Sequence, residues 1–293
     1  MSGPKSLDQL EVVLRSGAGI AIICEGEDYR EDEFFYKEWF GSLGRSVTFH
    51  AQDGWERVQV AVTELRKRGT PVPVFGILDR DFTPDEVIER QSDPSFDGSC
   101  YRLRRYDLES YLLEPEGWLA VLQRVLWRRE GVLPTGWDTA EAVAERIHGF
   151  YREALPVAAH NWTTRRLAES HGAKPGFAGR SYLSSIQAVA TVNVEETLVT
   201  WGRSFGAEDA AREAYRERLA FLQARADDLD ELQRQVSGKL VFQELHRSIP
   251  CARKRPDRMD LVERYLDQRP EPPSEVAALI RLILDRAERE RSL

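Results

Sequence analysis

Two aspartates separated by one residue stand at the end of a short apolar run. The run is Val74–Leu78, and Asp79 and Asp81 follow it. An apolar run of this length predicts a strand that is buried on both faces of a parallel sheet. Residues i and i+2 of an extended chain point to the same side, so the two carboxylates can aim at one point beyond the sheet. Close carboxylates repel each other unless a cation separates them, and Mg²⁺ and Mn²⁺ prefer such oxygen ligands.

An Asp-x-Asp pair also has a simpler interpretation, as solvated loop residues or as helix caps. In this sequence Thr83 is predicted to be the N-cap of the next helix, with Pro84 as its first residue. That helix therefore does not need Asp81 as its cap. For the pair alone, the simpler interpretation would still be favoured.

A second acidic strand end changes this balance. The apolar run 19–24 stops at Glu25 and Gly26, where glycine permits a tight turn. If the two strands are parallel, the carboxylates that follow them meet at the same edge of the sheet, where ligands of open α/β sheets bind. Glu25, Asp79 and Asp81 are therefore predicted to form a site for Mg²⁺ or Mn²⁺.

The elements around these residues indicate an α/β fold. Apolar or β-rich runs alternate with helical patterns through the first part of the chain, which is typical of a parallel, doubly wound sheet. The predicted strands are 19–24, 46–50, 74–78 and 99–103, and the main predicted helices between them start near Asp32 and Trp55.

Beyond Pro115 the pattern becomes mostly helical. We predict an α/β catalytic domain at 1–115 and a helical domain at 116–293 that binds substrate, a partner or both. The segment 207–235 reads as one long, charged and solvated helix that could also pack on a partner. The predicted helices are 118–127, 139–150, 161–171, 195–201, 207–235, 259–266 and 273–290.

Composition excludes several classes of protein. The net charge of −8 argues against a general nucleic-acid coat protein, although local basic patches remain compatible with a nuclease. The sequence has no run of 18 apolar residues and no signal-peptide pattern, so no membrane association is expected. The 3 cysteines lack the spacing of a zinc site or a disulfide framework. We therefore expect a cytoplasmic protein.

The order of these motifs resembles the Toprim domain of topoisomerases, primases and nucleases. More narrowly, Asp79-Arg80-Asp81-Phe82 followed by the segment 105–113, Arg-Tyr-Asp-Leu-Glu-Ser-Tyr-Leu-Leu, resembles the OLD-like Toprim nucleases of bacterial anti-phage defence. Within that group the chain looks most like the small Toprim effectors of PARIS systems. The resemblance covers about the first 120 residues well and the remainder loosely.

The resemblance implies a Mg²⁺- or Mn²⁺-dependent endonuclease, the toxic effector of an abortive-infection system. It implies a nucleic-acid substrate, RNA such as tRNA or else DNA, and control by an ABC-type ATPase partner. A homodimer is a candidate for the active form. Two alternatives stay open, a DNA-cleaving Toprim enzyme and a non-catalytic Toprim scaffold that only binds an ATPase. The chain is short for a topoisomerase, which would need a tyrosine domain, and it lacks the zinc module of a primase.

Further site residues follow from the resemblance. Glu109 looks like the additional carboxylate that OLD-like nucleases bring to a second metal or to the surroundings of the first. Lys239 is the best match in sequence order for the lysine that stabilises charge on the scissile phosphate in the transition state. The family often has another acid shortly after the Glu-Gly pair, and here that acid could be Asp28 or Asp32. Without the resemblance, Glu109 and Lys239 would be interpreted as surface residues.

Basic residues in three places could contact a nucleic-acid backbone. Taken singly, each is more often a solubility or salt-bridge residue. Lys174 and Arg180 lie in a loop of cations, glycines and aromatics, which suits phosphate contact and base stacking. The candidates are Arg105, Lys174, Arg180, Arg253, Lys254 and Arg255.

Overall fold

The computed structural model describes most of the chain. The described residues are 5–15, 19–26, 32–93, 95–127, 131–172, 182–191, 193–251 and 254–292. The chain divides into two compact units, of which the first is Met1–Arg104 with Val262–Leu293 and the second is Arg105–Leu261. The predicted domains, 1–115 and 116–293, differ from this division because the C-terminal segment groups with the sheet.

The first unit contains a four-stranded parallel sheet, so the predicted α/β fold class is confirmed. Its strands are β1 (Ile20–Cys24), β2 (Val47–Ala51), β3 (Val74–Leu78) and β4 (Cys100–Arg102). Their order is β2-β1-β3-β4, which puts β1 and β3 in the centre. Both central strands are buried along their full length, as their continuous apolar sequences predict.

Helices make up most of the remaining described structure. In chain order they are α1 (Leu7–Arg15), α2 (Asp32–Phe40), α3 (Trp55–Lys67), α4 (Asp85–Arg90), α5 (Pro115–Val121), α6 (Ala140–Glu153), α7 (Leu155–Ser170), α8 (Ala188–Thr191), α9 (Val194–Arg203), α10 (Glu208–Gln223), α11 (Leu229–Gln235), α12 (Gly238–Ser248), α13 (Arg258–Gln268) and α14 (Ser274–Arg291). Gly41–Ser46 and Leu108–Leu112 form 3₁₀ helices, and Leu122–Leu126 forms a short π-helix.

Close packing of α3 on the sheet fixes the position of β3. Buried residues recur along one face of α3, including Val58, Val62 and Leu65. Gly76 of β3 permits this approach, because an added Cβ there would lie 2.8 Å from Cys100 Sγ and 3.1 Å from Val58 Cγ1. The glycine therefore lets α3 and the neighbouring strand hold β3 tightly just before its acidic end.

The C-terminal helix α14 belongs to the first unit through contacts that are distant in sequence. Arg66 on α3 donates from Nη2 to both carboxylate oxygens of Glu290, at 3.1 Å. Arg291 donates from Nη2 to the carbonyl oxygen of Gly19, at 2.5 Å. These contacts connect the C-terminal segment to the sheet and to α3 across most of the sequence.

The second unit is helical in its described part, as predicted, but one prediction within it is wrong. The segment 207–235 is not one helix, since α10 ends at Gln223 and α11 begins at Leu229. Asp228 is the N-cap of α11, where its side chain accepts a hydrogen bond from the Glu231 N–H at 3.0 Å. A side chain that competes for backbone donors favours a helix start over a continuous helix.

No helix in the described part of the chain combines the length and the apolar character that a membrane crossing requires.

Candidate functional site

The carboxyl ends of the central strands bring Glu25 and Asp79 into contact. In the parallel register Cys24 pairs with Ile77, so Glu25 follows β1 at the same edge where Asp79 follows β3. The backbone N–H of Asp79 donates to Glu25 Oε1 at 2.9 Å. Asp79 is only 4% exposed, and Glu25 is half-buried. The structure thus places these two predicted site residues together at one edge of the sheet.

The charges at this edge act strongly on Glu25. Burial, followed by the negative charges of Asp79 and Asp81, raises the pKa of Glu25 to about 9. Asp32, at the start of α2, contributes in the same direction, whereas the hydrogen bond from Asp79 N–H opposes the shift. Asp28, the other candidate for the additional acid, lies outside the described residues. The neighbouring acids therefore oppose the ionisation of Glu25.

Asp81 has an unusual backbone conformation. Its φ of 49° is positive, and no other non-glycine residue in the described ranges shares this feature. The left-handed region costs a residue with a Cβ about 1–2 kcal/mol, although aspartate tolerates it better than most. Such strain is concentrated at functional sites, so the turn supports a role for Asp81.

Two arginines, of which Arg80 is buried, hold the backbone around the two aspartates. Arg80, between them, is 2% exposed, and it donates to the carbonyl oxygen of Arg104 at 2.9 Å and to Asp85 Oδ1 at 2.7 Å. Arg102 donates from Nη1 to the carbonyl oxygen of Asp79 at 2.7 Å. The two guanidinium groups thus fix the backbone of the turn, a role that sequence reasoning missed because these contacts have no local pattern.

The predicted start of α4 needs correction. The helix begins at Asp85 with Pro84 as its N-cap, and no side chain caps it. Thr83 is therefore not the N-cap, and Pro84 precedes the helix instead of opening it. Asp85, the first residue of the helix, pairs with Arg80. This ion pair connects the start of the helix to the turn that carries Asp79 and Asp81.

The donor set suits a hard divalent cation in its chemistry. A cation would relieve the repulsion that raises the pKa of Glu25, and Glu25, Asp79 and Asp81 offer oxygen ligands. In position, however, the site is incomplete: within the ranges that the structure covers, no three His, Cys, Asp or Glu side chains are already grouped to hold a metal ion. Metal binding at this edge would require the carboxylates to converge.

A buried carboxylate in the second unit, that of Asp107, is surrounded by hydrogen-bond donors. Sequence reasoning missed this cluster of contacts. Asp107 is 1% exposed and accepts five hydrogen bonds. Two come from the N–H and the hydroxyl of Ser110, at 3.1 and 2.8 Å. Three come from the start of α12, namely the Ser237 hydroxyl at 2.7 Å, the Gly238 N–H at 3.0 Å and the Lys239 N–H at 3.2 Å. Asp107 thus caps α12 from a distant part of the sequence.

Gly238 is required by the same contact. A Cβ at this position would lie 2.4 Å from the backbone nitrogen of Ser110 and 2.6 Å from Asp107 Oδ1. The Gly-Lys pair at this helix start therefore has a packing reason. The sequence indicated that a helix starts at this pair. It did not indicate that Asp107 accepts hydrogen bonds from that start.

Glu109 and Lys239 also lie in the second unit, and the structure brings them near each other. Glu109 accepts a hydrogen bond from Arg258 Nη2 at 2.6 Å, and its other oxygen is 3.9 Å from Lys239 Nζ. Glu109 is buried, whereas the side chains of Lys239 and Arg258 are 51% and 47% exposed. Sequence reasoning missed Arg258, which balances the charge of Glu109.

The predicted nucleic-acid contacts fall into three groups. Arg105 is engaged inside the second unit, where it donates to Ser110 O at 3.0 Å and stacks over the Tyr111 ring at 4.7 Å. Lys254 and Arg255 are exposed. Three further candidates lie outside the described residues, namely Lys174, Arg180 and Arg253.

No protein-family model matches this chain, and no curated protein matches it. The relation to Toprim nucleases therefore stays a resemblance that rests on the sequence motifs quoted above.

Proposed function

We propose that this protein is a metal-dependent Toprim nuclease that cleaves phosphodiester bonds as the effector of an anti-phage abortive-infection system. The observation that carries the proposal is the carboxylate edge, where burial and neighbouring acids raise the pKa of Glu25 to about 9. Buried acids that repel each other are costly to keep, which is expected where they serve chemistry. RNA such as tRNA is the candidate substrate.

In this proposal Glu25, Asp79 and Asp81 hold Mg²⁺ or Mn²⁺. The bound cation supplies a Lewis acid and lowers the pKa of a bound water. The chain itself supplies the positioning: the Asp79 N–H orients Glu25 Oε1, and Arg102 fixes the backbone that carries Asp79. Arg80 anchors the turn that aims Asp81.

Roles for Glu109 at the metal and Lys239 at the phosphate remain part of the proposal. The ion pairs of Glu109 with Lys239 and with Arg258 offer a competing account, in which Glu109 serves to balance these two cations. A substitution separates these accounts. If Lys239 meets charge that develops only in the transition state, Lys239→Ala should lower the single-turnover rate about a hundredfold at nearly unchanged substrate affinity. An unchanged rate would leave Lys239 outside the mechanism.

Sequencing the ends of cellular RNA and DNA tests the nuclease directly. Cells would express the wild type, Glu25→Ala, or Glu38→Ala, in which an exposed glutamate of α2 serves as the matched control. We expect new RNA ends in the wild type and in Glu38→Ala, and none in Glu25→Ala. New ends in DNA alone would indicate a DNA-cleaving Toprim enzyme, and equal ends in all three would contradict the proposed site.

A non-catalytic scaffold is the second candidate, because no three metal-ligating side chains are already grouped in the described chain. Both candidates include an ABC-type ATPase partner, which the resemblance implies, and a homodimer as a candidate active form. Co-purification with such an ATPase tests the partner. Toxicity that is the same with and without the ATPase would contradict control by it, and binding without any cleavage would favour the scaffold.

A further inference from the structure

Two arginines and two aromatic rings alternate on the surface of the second unit. The guanidinium carbon of Arg218 lies 4.1 Å from the centre of the Trp162 ring and 4.8 Å from that of Phe221. The guanidinium carbon of Arg225 lies 3.7 Å from the centre of the Phe221 ring. We call these four residues the Arg-aromatic ladder. Such distances are those of cation–π contacts.

Hydrogen bonds hold Trp162 and Arg218, which form the inner end of the ladder. Trp162 on α7 donates from Nε1 to the carbonyl oxygen of Gln235, at 2.8 Å. Arg218 on α10 donates to the side-chain oxygen of the same Gln235. Since α7 and α10 pack against each other, these planes are held before any ligand arrives. A preorganised surface loses little side-chain entropy on binding.

The outer end of the ladder is exposed and carries charge that no acid in the described part of the chain balances. Arg225 is exposed, and its contacts are the ring and the carbonyl oxygen of Phe221. In the described chain no carboxylate is within ion-pair distance of it, although the neighbouring Asp227 pairs with Arg152 at 3.0 Å. By contrast, Arg212 and Arg216 on α10 both pair with Glu195. Arg225 thus presents a planar cation to solvent on an aromatic support.

We propose that the outer end of the Arg-aromatic ladder, the Arg225 plane supported by Phe221, stacks on a base of a single-stranded nucleic acid. Planar cations and aromatic rings stack on bases of any sequence, and the arginine charge also attracts the phosphate backbone. An acidic peptide would use the charge of Arg225 but would have no use for its supported plane, so nucleic acid is the better fit. The inference rests on the proposed function, because it names a binding surface for the substrate of that nuclease.

Fluorescence anisotropy with two labelled probes tests the ladder without any cleavage. One probe is an oligouridylate about 12 nucleotides long, and the other is an abasic ribose-phosphate strand of the same length and charge, both in EDTA. The variants are Arg225→Lys, which keeps the charge and removes the plane, and Phe221→Leu, which removes the supporting ring. Arg216→Lys is the matched control on α10.

We expect the wild type and Arg216→Lys to bind the oligouridylate about tenfold tighter than the abasic strand, since stacking contributes to the first probe alone. Arg225→Lys and Phe221→Leu should lose about tenfold in affinity for the oligouridylate and nothing for the abasic strand. Far-ultraviolet circular dichroism and melting curves confirm that the variants are folded.

Several results would overturn the inference. These are equal wild-type affinity for the two probes, oligouridylate affinity that the ladder variants leave unchanged, or an equal loss for both probes, which would mean charge attraction without stacking. Tighter binding of a glutamate-rich peptide that depends on Arg225 would assign the surface to a protein partner. Cleavage is measured separately. Binding that depends on the ladder, without metal-dependent cleavage, would contradict only the proposed nuclease. Cleavage together with binding that the ladder variants leave unchanged would contradict only the ladder.

Discussion

The acidic edge of the first unit and the Asp107 cluster of the second place the same functional group in opposite surroundings. At the edge, Glu25 accepts one backbone N–H, and the charges of Asp79 and Asp81 act against it. In the second unit Asp107 accepts five hydrogen bonds and caps a helix. A buried carboxylate is stable when donors satisfy it, and costly when other carboxylates surround it.

The two surroundings separate an acid that serves structure from acids that are suited to chemistry. Asp107 has its donors built into the fold, so it offers a ligand little. At the edge, the charges of Asp79 and Asp81 raise the pKa of Glu25, and a bound cation would relieve this repulsion. The following predictions test the contrast, because substitution of an acid should have opposite effects on stability in the two places.

The largest effect is expected for Asp107. Asp107→Ala leaves buried donors at Ser110 and at the start of α12 unsatisfied, which should lower the free energy of unfolding by about 3 kcal/mol or more. Ser237→Ala is the matched control, since it removes one of the five hydrogen bonds and should cost about 1 kcal/mol. Urea unfolding monitored by circular dichroism measures both values. Similar, small losses in the two variants would show that Asp107 does not organise this cluster.

Glu25→Gln should have the opposite effect and raise the free energy of unfolding. Glutamine keeps an oxygen that accepts the Asp79 N–H, and it removes the charge. The pKa of Glu25 is raised in the folded protein, so the folded state holds a proton that the unfolded state releases. In EDTA the wild type should therefore lose stability, relative to Glu25→Gln, as the pH rises from about 4.5 to about 9. Below pH 4.5 the difference between them should no longer change with pH.

Unfolding free energies of both proteins across this range provide the check. A difference that does not change with pH, or one that grows in favour of the wild type as the pH rises, would contradict the repulsion at the sheet edge.

A smaller effect is expected from the backbone of Asp81. Neither Asp81→Gly nor Asp81→Ala has a carboxylate, so the pair isolates the cost of the positive φ. Glycine adopts this conformation freely, and we expect Asp81→Gly to be more stable than Asp81→Ala by about 1 kcal/mol. Equal melting temperatures would mean that the turn relaxes when the carboxylate is lost.

The sequence predicted the acidic edge because its signals are local. The apolar runs of β1 and β3, each followed at once by acids, define both the strands and the side of the sheet where Glu25 and Asp79 meet. Burial and strand direction are enough to place residues at a common edge. The same local signals did not show whether the carboxylates are already grouped to hold a metal.

The contacts that sequence reasoning missed are long-range or compete with local propensity. Asp107 and Gly238 are 131 residues apart, and neither carries a pattern that names the other. The pairing of Arg66 with Glu290 brings α14 to the first unit across 224 residues. In the segment 207–235 the charge pattern correctly predicted helical structure before and after a break. It did not show the break itself, because the second helix begins where Asp228 caps it.

Thermal melting with and without Mn²⁺ tests whether the carboxylates of the sheet edge bind a divalent cation. The proteins to compare are the wild type, Asp79→Asn/Asp81→Asn, and Glu38→Gln as an exposed-acid control. A ligand at about 100 times its dissociation constant adds about 2.7 kcal/mol to stability. We predict a raised melting temperature in the wild type and in Glu38→Gln, and no change in the double variant. No rise in the wild type, or an equal rise in the double variant, would contradict the account.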